Sequence, residues 1–162
     1  MTDSEERLAA IERRLQLVED QLAITQVVLA YGPRVDSASA DALAGLWAED
    51  GSYEFQADLA PLRGRAELAA MVRGAPHQAH LRRGCAHVLT APHVQVDGDT
   101  AVATYYSLMH HFVPETGIFQ VSRVSSNRWD LARTAEGWRV ASRTNRLLDG
   151  SAEARELFAG TV

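Results

Sequence analysis

The apolar pattern of the chain changes its period near residue 84, and this change restricts the possible folds more than any other feature. Upstream, apolar residues recur every three or four positions, as on one face of a helix; downstream they alternate, as in strands. Two turn signals, Asp97-Gly98-Asp99 and Ala135-Glu136-Gly137, predict hairpins in the downstream part. Strands are predicted over 87–90, 94–96, 100–112, 118–133 and 138–148. Helices followed by meandering strands predict an α+β fold with an antiparallel sheet backed on one face by helices.

Three helices are predicted before the sheet. Ser4 begins a long first helix whose apolar stripe is too short for a free-standing coiled coil and comprises Leu8, Ile11, Leu15, Val18 and Leu22. Gly32-Pro33 is expected to break or kink this helix. A short helix over 39–47, a strand over 52–55 and a helix over 65–73 follow, and residues 151–158 form a short terminal helix.

Composition limits the class of protein. With 162 residues, 46% of them hydrophobic, the chain predicts a single domain over 1–162 with its core at about 8–150 and the terminal helix at about 151–159. A net charge of −5 with interleaved acids and arginines favours neither nucleic acid nor membrane as a partner. One cysteine rules out an intramolecular disulfide, and the acidic N-terminus lacks the apolar region of a signal peptide. A cytoplasmic location is expected.

Asp36 and His87 are the candidate acid–base pair. Asp36 follows an apolar run, where a carboxylate is costly unless another group pairs with it or uses its charge. His87 shares a strand face with Cys85 and Leu89, so apolar surroundings would keep its imidazole neutral and able to accept a proton. Two structural alternatives stay open. Asp36 could cap the second helix, and His87 could be a hydrogen-bonded histidine within the strand.

Other residues are candidate substrate contacts. The phenol of Tyr31 could hold a substrate oxygen, or the residue could belong to the core. Arg146 alternates with Trp138 and Val140, which predicts an inward guanidinium for an anionic or carbonyl group; a surface position is the alternative. The remaining candidates to line the cavity are Trp47, Tyr53, His110 and Trp129.

No metal site and no cofactor are expected. His77 and His80 are predicted to lie in a loop without an acidic third ligand, and the adjacent His110 and His111 point to opposite faces of a strand. Phosphate-binding glycine loops, nucleophile elbows and Cys-x-x-Cys motifs are missing from the sequence.

Several segments resemble SnoaL-like proteins of the nuclear transport factor 2-like superfamily. They are the run from Leu22 to Asp36, the segment 42–51, His87, the turn 96–101 and the closing segment 137–143. The resemblance extends over about residues 8–150 and implies a cone-shaped α+β barrel. In it a strongly curved antiparallel or mixed sheet wraps around three helices and leaves a deep apolar pocket.

The resemblance also implies a range of activities. Such proteins include scytalone dehydratase, hexachlorocyclohexane dehydrochlorinase, bile acid 7α-dehydratase, ketosteroid isomerase and polyketide cyclases. In the dehydratase and dehydrochlorinase branch an aspartate after the first helix pairs with a strand histidine, and Asp36 and His87 occupy those positions. The spacing of Tyr31 and Asp36 is similar to that in the bile acid dehydratase. Ala91 stands where dehydrochlorinase relatives often carry an asparagine.

The sequence therefore predicts a cofactor-independent lyase of the dehydratase type, or an isomerase, acting on a hydrophobic small molecule through Asp36, His87 and Tyr31. The alternatives are a polyketide cyclase-like enzyme, a non-catalytic binding or assembly module, and an accessory subunit of a ring-hydroxylating oxygenase. Neither face of the strand over 100–112 is distinctly polar, and SnoaL-like relatives are commonly dimers or trimers. A homodimer or homotrimer joined through the sheet face is expected.

Overall fold

The chain folds in the predicted order, with helices first and a meander of strands afterwards. A computed structural model describes residues 2–159. The helices are α1 (Asp3–Leu29), α2 (Tyr31–Asp36), α3 (Ala40–Ala44), α4 (Gly64–Arg73), α5 (Ala75–Arg83) and α6 (Ala152–Glu156). The strands are β1 (Trp47–Glu54), β2 (Leu62–Arg63), β3 (Cys85–Leu89), β4 (His93–Asp97), β5 (Thr100–Val113), β6 (Ile118–Thr134) and β7 (Gly137–Leu147).

The strands form one mixed sheet. Its order is β2-β1-β7-β6-β5-β3, and β4 pairs with the first part of β5 while β3 pairs with the second. The β1–β7 pair is parallel and the other pairs are antiparallel. Register shifts at Met109/His110 in β5 and at Asp130/Leu131 in β6 mark β-bulges, which bend and twist a sheet. The sheet therefore curves over the helices.

The hydrophobic core lies between the helices and the sheet. Its largest fully buried side chains include Trp47 from β1, Trp129 from β6, Ile24 from α1 and Leu68 from α4. Burying each of these side chains stabilises the fold by about 1.5–3 kcal/mol. Among the helices of residues 2–159 none is both long and apolar enough to cross a membrane.

Three local predictions need correction. The first helix ends at Leu29 and α2 begins at Tyr31, so the break lies at Ala30, just before Gly32-Pro33. The cause is Pro33, which has no amide proton to donate to the carbonyl group one turn earlier. The second helix ends at Ala44, and β1 begins at Trp47 because Trp47 pairs with Val140 of β7. Local sequence gives no sign of that pairing.

The segment that follows α4 is the third correction. His77 and His80 lie on α5, not in a loop. Gly74 ends α4 as predicted, but Pro76 occupies the first turn of a new helix, where the missing amide proton of a proline costs nothing. The new helix carries both histidines to the wall of the cavity described below.

Candidate active site

A largely apolar cavity of about 570 Å³ opens between the helices and the concave face of the sheet. This volume is typical of small-molecule sites. Side chains from α2, α4, α5 and six strands line it, and most are apolar. The polar groups lie in two clusters. One is formed by histidines of α5 and β3, and the other by arginines and amides of β6 and β7.

Asp36 holds His87 through both of its carboxylate oxygens. Its Oδ1 lies 2.6 Å from Nδ1 of the imidazole, and its Oδ2 accepts the backbone N–H of His87 at 2.8 Å. An ionised carboxylate only accepts hydrogen bonds, so Nδ1 carries a proton, and in the neutral imidazole Nε2 then keeps its lone pair. The structure thus brings the predicted pair together, with a base on the cavity side.

Gly32 allows this pairing. Asp36 is the last residue of α2, and α2 packs against β3, which carries His87. A Cβ atom at position 32 would overlap the backbone carbonyl oxygen of His87. Only glycine permits so close an approach between this helix and this strand. Sequence reasoning gave Gly32 only a role in ending the first helix.

Arg143 of β7 also lines the cavity. Its guanidinium is buried between the rings of Tyr31 and Tyr53, with Cζ 4.1 Å and 4.3 Å from their centroids. Nε and Nη2 donate to Oδ1 of Asn127 at 3.3 Å and 2.9 Å. Within residues 2–159, Nη1 has no hydrogen-bond partner although it is buried. A buried cation that lines a cavity attracts an anionic or carbonyl oxygen.

Arg146 does not occupy the predicted inward position. The register between β6 and β7 shifts next to Ala141, where Asp130 pairs with Ser142 but Leu131 pairs with Val140. This bulge reverses the alternation, so Arg143 faces the cavity and Arg146 pairs with Glu54 and, at 3.7 Å, with Glu153. Strict alternation from Trp138 therefore selected the wrong arginine.

A SnoaL-like domain model matches residues 16–144, four fifths of the chain. The chain belongs to the SnoaL-like family. The predicted resemblance is confirmed, and with it the α+β fold with a curved mixed sheet of the nuclear transport factor 2-like superfamily. No curated protein matches this SnoaL-like chain.

Solved structures agree with this assignment. A nuclear transport factor 2-like protein with a cystatin-like fold from Novosphingobium aromaticivorans is 45% identical, with a TM-score of 0.88 over 93% of this chain and 96% of that one. Rv3472 of Mycobacterium tuberculosis, of unknown function, is 23% identical, with a TM-score of 0.67 over 86% and 90%. ActVI-ORFA of Streptomyces coelicolor is 18% identical, with a TM-score of 0.68 over 80% and 97%. The last two similarities concern the fold alone.

The aromatic candidates of this SnoaL-like domain fall into two layers. Tyr31 and Tyr53 line the cavity, and burial raises the pKa of the Tyr53 phenol, which therefore stays protonated. Trp47 and Trp129 are fully buried beneath them, 5.5 Å apart between ring centroids. Both tryptophans pack edge-on against Tyr31, so they support a cavity wall and do not line it.

His110 is also outside the cavity lining. The lining residues of β5 are Ser107, Leu108 and Met109, and His110, beyond the register shift after Met109, does not belong to them. His77 and His80 of α5 line the cavity instead. The ring centroid of His77 lies 6.1 Å from that of His87, and its Nε2 is 3.0 Å from the carbonyl oxygen of Val35, to which it donates.

Asp36, Cys85 and His87 could in principle share a metal ion, since one donor atom from each lies within 4.8 Å of the others. Two observations weigh against that role. Both carboxylate oxygens of Asp36 already accept hydrogen bonds from His87. Burial, and then the charge of Asp36, raise the pKa of the Cys85 thiol and keep it protonated, so it adds no negative charge to the site. The donor set fits acid–base chemistry better.

Proposed function

We propose that this SnoaL-like protein is a cofactor-independent lyase or isomerase that removes a proton beside the carbonyl group of a hydrophobic small molecule. One observation carries the proposal. The Asp36–His87 pair presents a free imidazole nitrogen to an apolar cavity that also contains the buried guanidinium of Arg143. A base and an oxyanion partner at the same cavity are what enolate chemistry requires.

The proton transfer follows from this geometry. Nε2 of His87 takes a proton from the carbon beside the carbonyl, and the C–H electron pair becomes the double bond of an enolate. The carbonyl π electrons move to oxygen, where the positive charge of the Arg143 guanidinium stabilises the developing negative charge and Tyr31 contributes a phenol. Asp36 stabilises the imidazolium that forms. General base catalysis supplies about 10²–10⁴-fold, and an oxyanion donor about 10²–10³-fold.

The fate of the enolate distinguishes the candidate reactions. In a lyase the enolate expels a β-hydroxyl group, which takes the proton from the His87 imidazolium and leaves as water. In an isomerase the imidazolium returns the proton to a different carbon of the same molecule. In a cyclase the enolate carbon attacks a second carbonyl group of the substrate. All three begin with the same proton abstraction, so that step is the one to test.

Deuterium exchange tests the step without knowledge of the product. The protein is incubated in D₂O with a panel of bicyclic and polycyclic ketones, and mass spectrometry measures deuterium incorporation beside the carbonyl. We expect exchange with at least one ketone and a loss of at least about 100-fold in His87→Gln. His93→Gln is the matched control, because His93 is an exposed histidine of β4. Equal exchange in the wild type and His87→Gln would contradict the proposal.

A ligand-binding module is the second candidate, and Arg143 favours it specifically. A buried cation without a carboxylate partner would bind an anionic ligand whether or not a reaction follows. Binding of the ketones, or of matching carboxylates, without deuterium exchange would support this second function. Ligand at about 100 times its dissociation constant raises the free energy of unfolding by about 2.7 kcal/mol, which a thermal shift detects.

A further inference from the structure

Helix α1 has a buried face and, on its other side, a separate exposed apolar stripe. Asp20, Ile24 and Val28 are buried and form the face that packs on the domain. A second stripe, each of whose members is 55–60% exposed, consists of Leu8, Ile11, Leu15, Val18 and Leu22. A capping box between Thr2 and Glu5 begins the helix. The first part of α1 therefore carries an apolar stripe, from Leu8 to Leu22, that the rest of the domain does not cover.

The second stripe points away from the domain. Val18 and Leu22 each lie two residues from Asp20, which places them about 160° around the helix from it. Arg133 and Trp138 hold Asp20 by hydrogen bonds, so the side of α1 that carries Asp20 faces the domain and the stripe faces away from it. An exposed apolar stripe of this length on a monomer indicates an interaction surface.

The spacing of the stripe selects a helix as its partner. Its residues are separated by three, four, three and four positions, which is the a/d seam of a coiled coil. Arg7 and Arg14 follow on one side of the seam, at g positions. On the other side, at e positions, lie Glu5, Glu12 and Glu19.

The charges select the partner and its direction. In a parallel pair of identical helices, g of one copy faces the e position five residues later in the other, so Arg7 meets Glu12 and Arg14 meets Glu19. In an antiparallel pair the arginines would face arginines and the glutamates would face glutamates. Within the part of the chain that the structure describes, these charged groups form no ion pairs across the domain. The stripe is too short for a free-standing coiled coil, but it is continuous with the part of α1 that packs on the domain through Ile24 and Val28. We infer that residues 5–22 of α1 form a parallel coiled coil with the same segment of a second copy.

Sedimentation equilibrium with charge variants tests this inference. Arg14→Glu would place a glutamate opposite Glu19 of the second copy. We expect the dissociation constant of the assembly to rise at least about tenfold. The double variant Arg14→Glu/Glu19→Arg restores a parallel pairing but not an antiparallel one, so it should recover the assembly. Arg13→Glu is the matched control, because Arg13 occupies an f position on the side of the helix that faces away from the seam. All of these positions are exposed, so folding should be unaffected.

Two further variants complete the test. Leu15→Glu should abolish the contribution of α1 to assembly, whatever the sheet contributes. In a Cys85→Ala background, Leu8→Cys should form a disulfide between copies, because position 8 meets position 8 only in the parallel arrangement. A wild type that stays at 17.7 kDa, a dissociation constant unchanged by Leu15→Glu, or no rescue by the charge swap would overturn the inference.

A separate observation concerns His80 and deepens the proposed function, on which it rests. The Ser122 hydroxyl donates to the carbonyl oxygen of Met109 at 3.1 Å, so it accepts from Nδ1 of His111 at 2.7 Å. Nε2 of His111 is then an acceptor, and Nδ1 of His80, 3.1 Å away, must donate to it. His80 is left with an unprotonated Nε2 at the cavity wall, and that atom has no hydrogen-bond partner in residues 2–159.

We propose that Nε2 of His80 accepts a hydrogen bond from a hydroxyl group of the substrate, which makes hydroxylated cyclic ketones the preferred class. The surroundings keep this imidazole neutral. Burial lowers its pKa, as do the charges of His111 on β5, His77 and Arg83 on α5, and His87 on β3. A neutral acceptor with a fixed tautomer discriminates hydroxyl donors from their deoxy analogues.

Nitrogen-15 NMR and paired ligands test the role of His80. We expect the Nδ1–H tautomer at His80 in the wild type and a mixture in Ser122→Ala. Hydroxylated 1-tetralones should bind about tenfold more tightly than 1-tetralone itself, and His80→Leu should remove that preference. An Nε2–H tautomer in the wild type, or binding without a hydroxyl preference, would overturn the assignment. If the wild type exchanges deuterium and His87→Gln does not, while hydroxylated and plain 1-tetralones bind equally well, the proposed function holds and the His80 assignment alone fails.

Discussion

At the scale of single residues, Gly32 decides whether the acid–base pair forms. A methyl group at this position would meet the carbonyl oxygen of His87 and push α2 away from β3. We expect Gly32→Ala to destabilise the protein by about 1–3 kcal/mol and to break the Asp36–His87 hydrogen bond. Chemical denaturation and the NMR signal of the Nδ1 proton would measure both effects.

Gly45→Ala is the matched control for that prediction. Gly45 has ordinary right-handed helical φ and ψ, and a methyl group there would make only ordinary or slightly tight contacts with the carbonyl oxygens of Asp41 and Ala42. Its stability should change by less than about 1 kcal/mol. A Gly32→Ala protein as stable as Gly45→Ala would show that α2 does not need this close approach.

Arg143 should oppose stability and support binding. A buried charge without a carboxylate partner carries a desolvation cost that an apolar side chain of similar length avoids. We expect Arg143→Met to keep or raise the melting temperature and to weaken the binding of ketones or carboxylates. Arg146→Met is the comparison, since Arg146 lies outside the cavity and pairs with Glu54. A less stable Arg143→Met protein with unchanged ligand binding would give Arg143 a purely structural role.

At the scale of elements, Asp20 fastens α1 to the sheet. Its carboxylate accepts two hydrogen bonds from Arg133 at 2.7 Å and one from Trp138 at 2.9 Å. The hydrogen bonds from Arg133 lower the pKa of Asp20 from 3.8 to about 2, against the opposing effect of burial. Because the folded pKa is depressed, the stabilisation is complete above pH 3.8 and is lost as the pH falls toward about 2.

This linkage predicts the behaviour of Asp20→Asn. The variant should lose about 1.5–3 kcal/mol at pH 7, because the hydrogen bonds from Arg133 lose their ionised acceptor and Arg133 is left with the exposed Asp99 as its ion-pair partner. Its unfolding free energy should also depend less on pH between 3.8 and about 2 than that of the wild type. Urea denaturation at a series of pH values measures both. Parallel curves for the two proteins would contradict the assignment of this pH dependence to Asp20.

At the scale of the whole molecule, the outer face of the sheet stays a predicted interface. Phe119 and Val121 of β6 are 58% and 50% exposed, and they adjoin other exposed apolar residues on β5 and β6. We expect Phe119→Glu to lower the mass of the assembly in sedimentation experiments, because a charge would be buried in the contact. Gln120→Glu is the control, because Gln120 lies between Phe119 and Val121 on β6 and its side chain points to the opposite face of the sheet. Identical masses for both variants would exclude this face as an interface.

Much of the architecture is determined by the sequence itself. The predicted strands over 100–112 and 118–133 correspond to β5 (Thr100–Val113) and β6 (Ile118–Thr134), and the helix over 65–73 corresponds to α4 (Gly64–Arg73). Alternation, helical spacing and turn chemistry are local properties, so they can be detected without the rest of the fold. Asp36 and His87 could be selected for the same reason, because each is a polar residue in an apolar segment.

The tertiary structure alone decided which side chains face the cavity. The bulge beside Ala141 depends on how β7 pairs with β6, and it exchanges Arg146 for Arg143 at the cavity wall. Trp47 and Trp129 are buried beneath the cavity wall because they pack against each other and Trp47 packs against Tyr31, so aromatic residues of three elements meet at this point. The orientation of a side chain depends on the register of a neighbouring strand, and register is set by contacts distant in sequence. The sequence could therefore determine the elements and the acid–base pair, whereas the composition of the cavity wall required the fold.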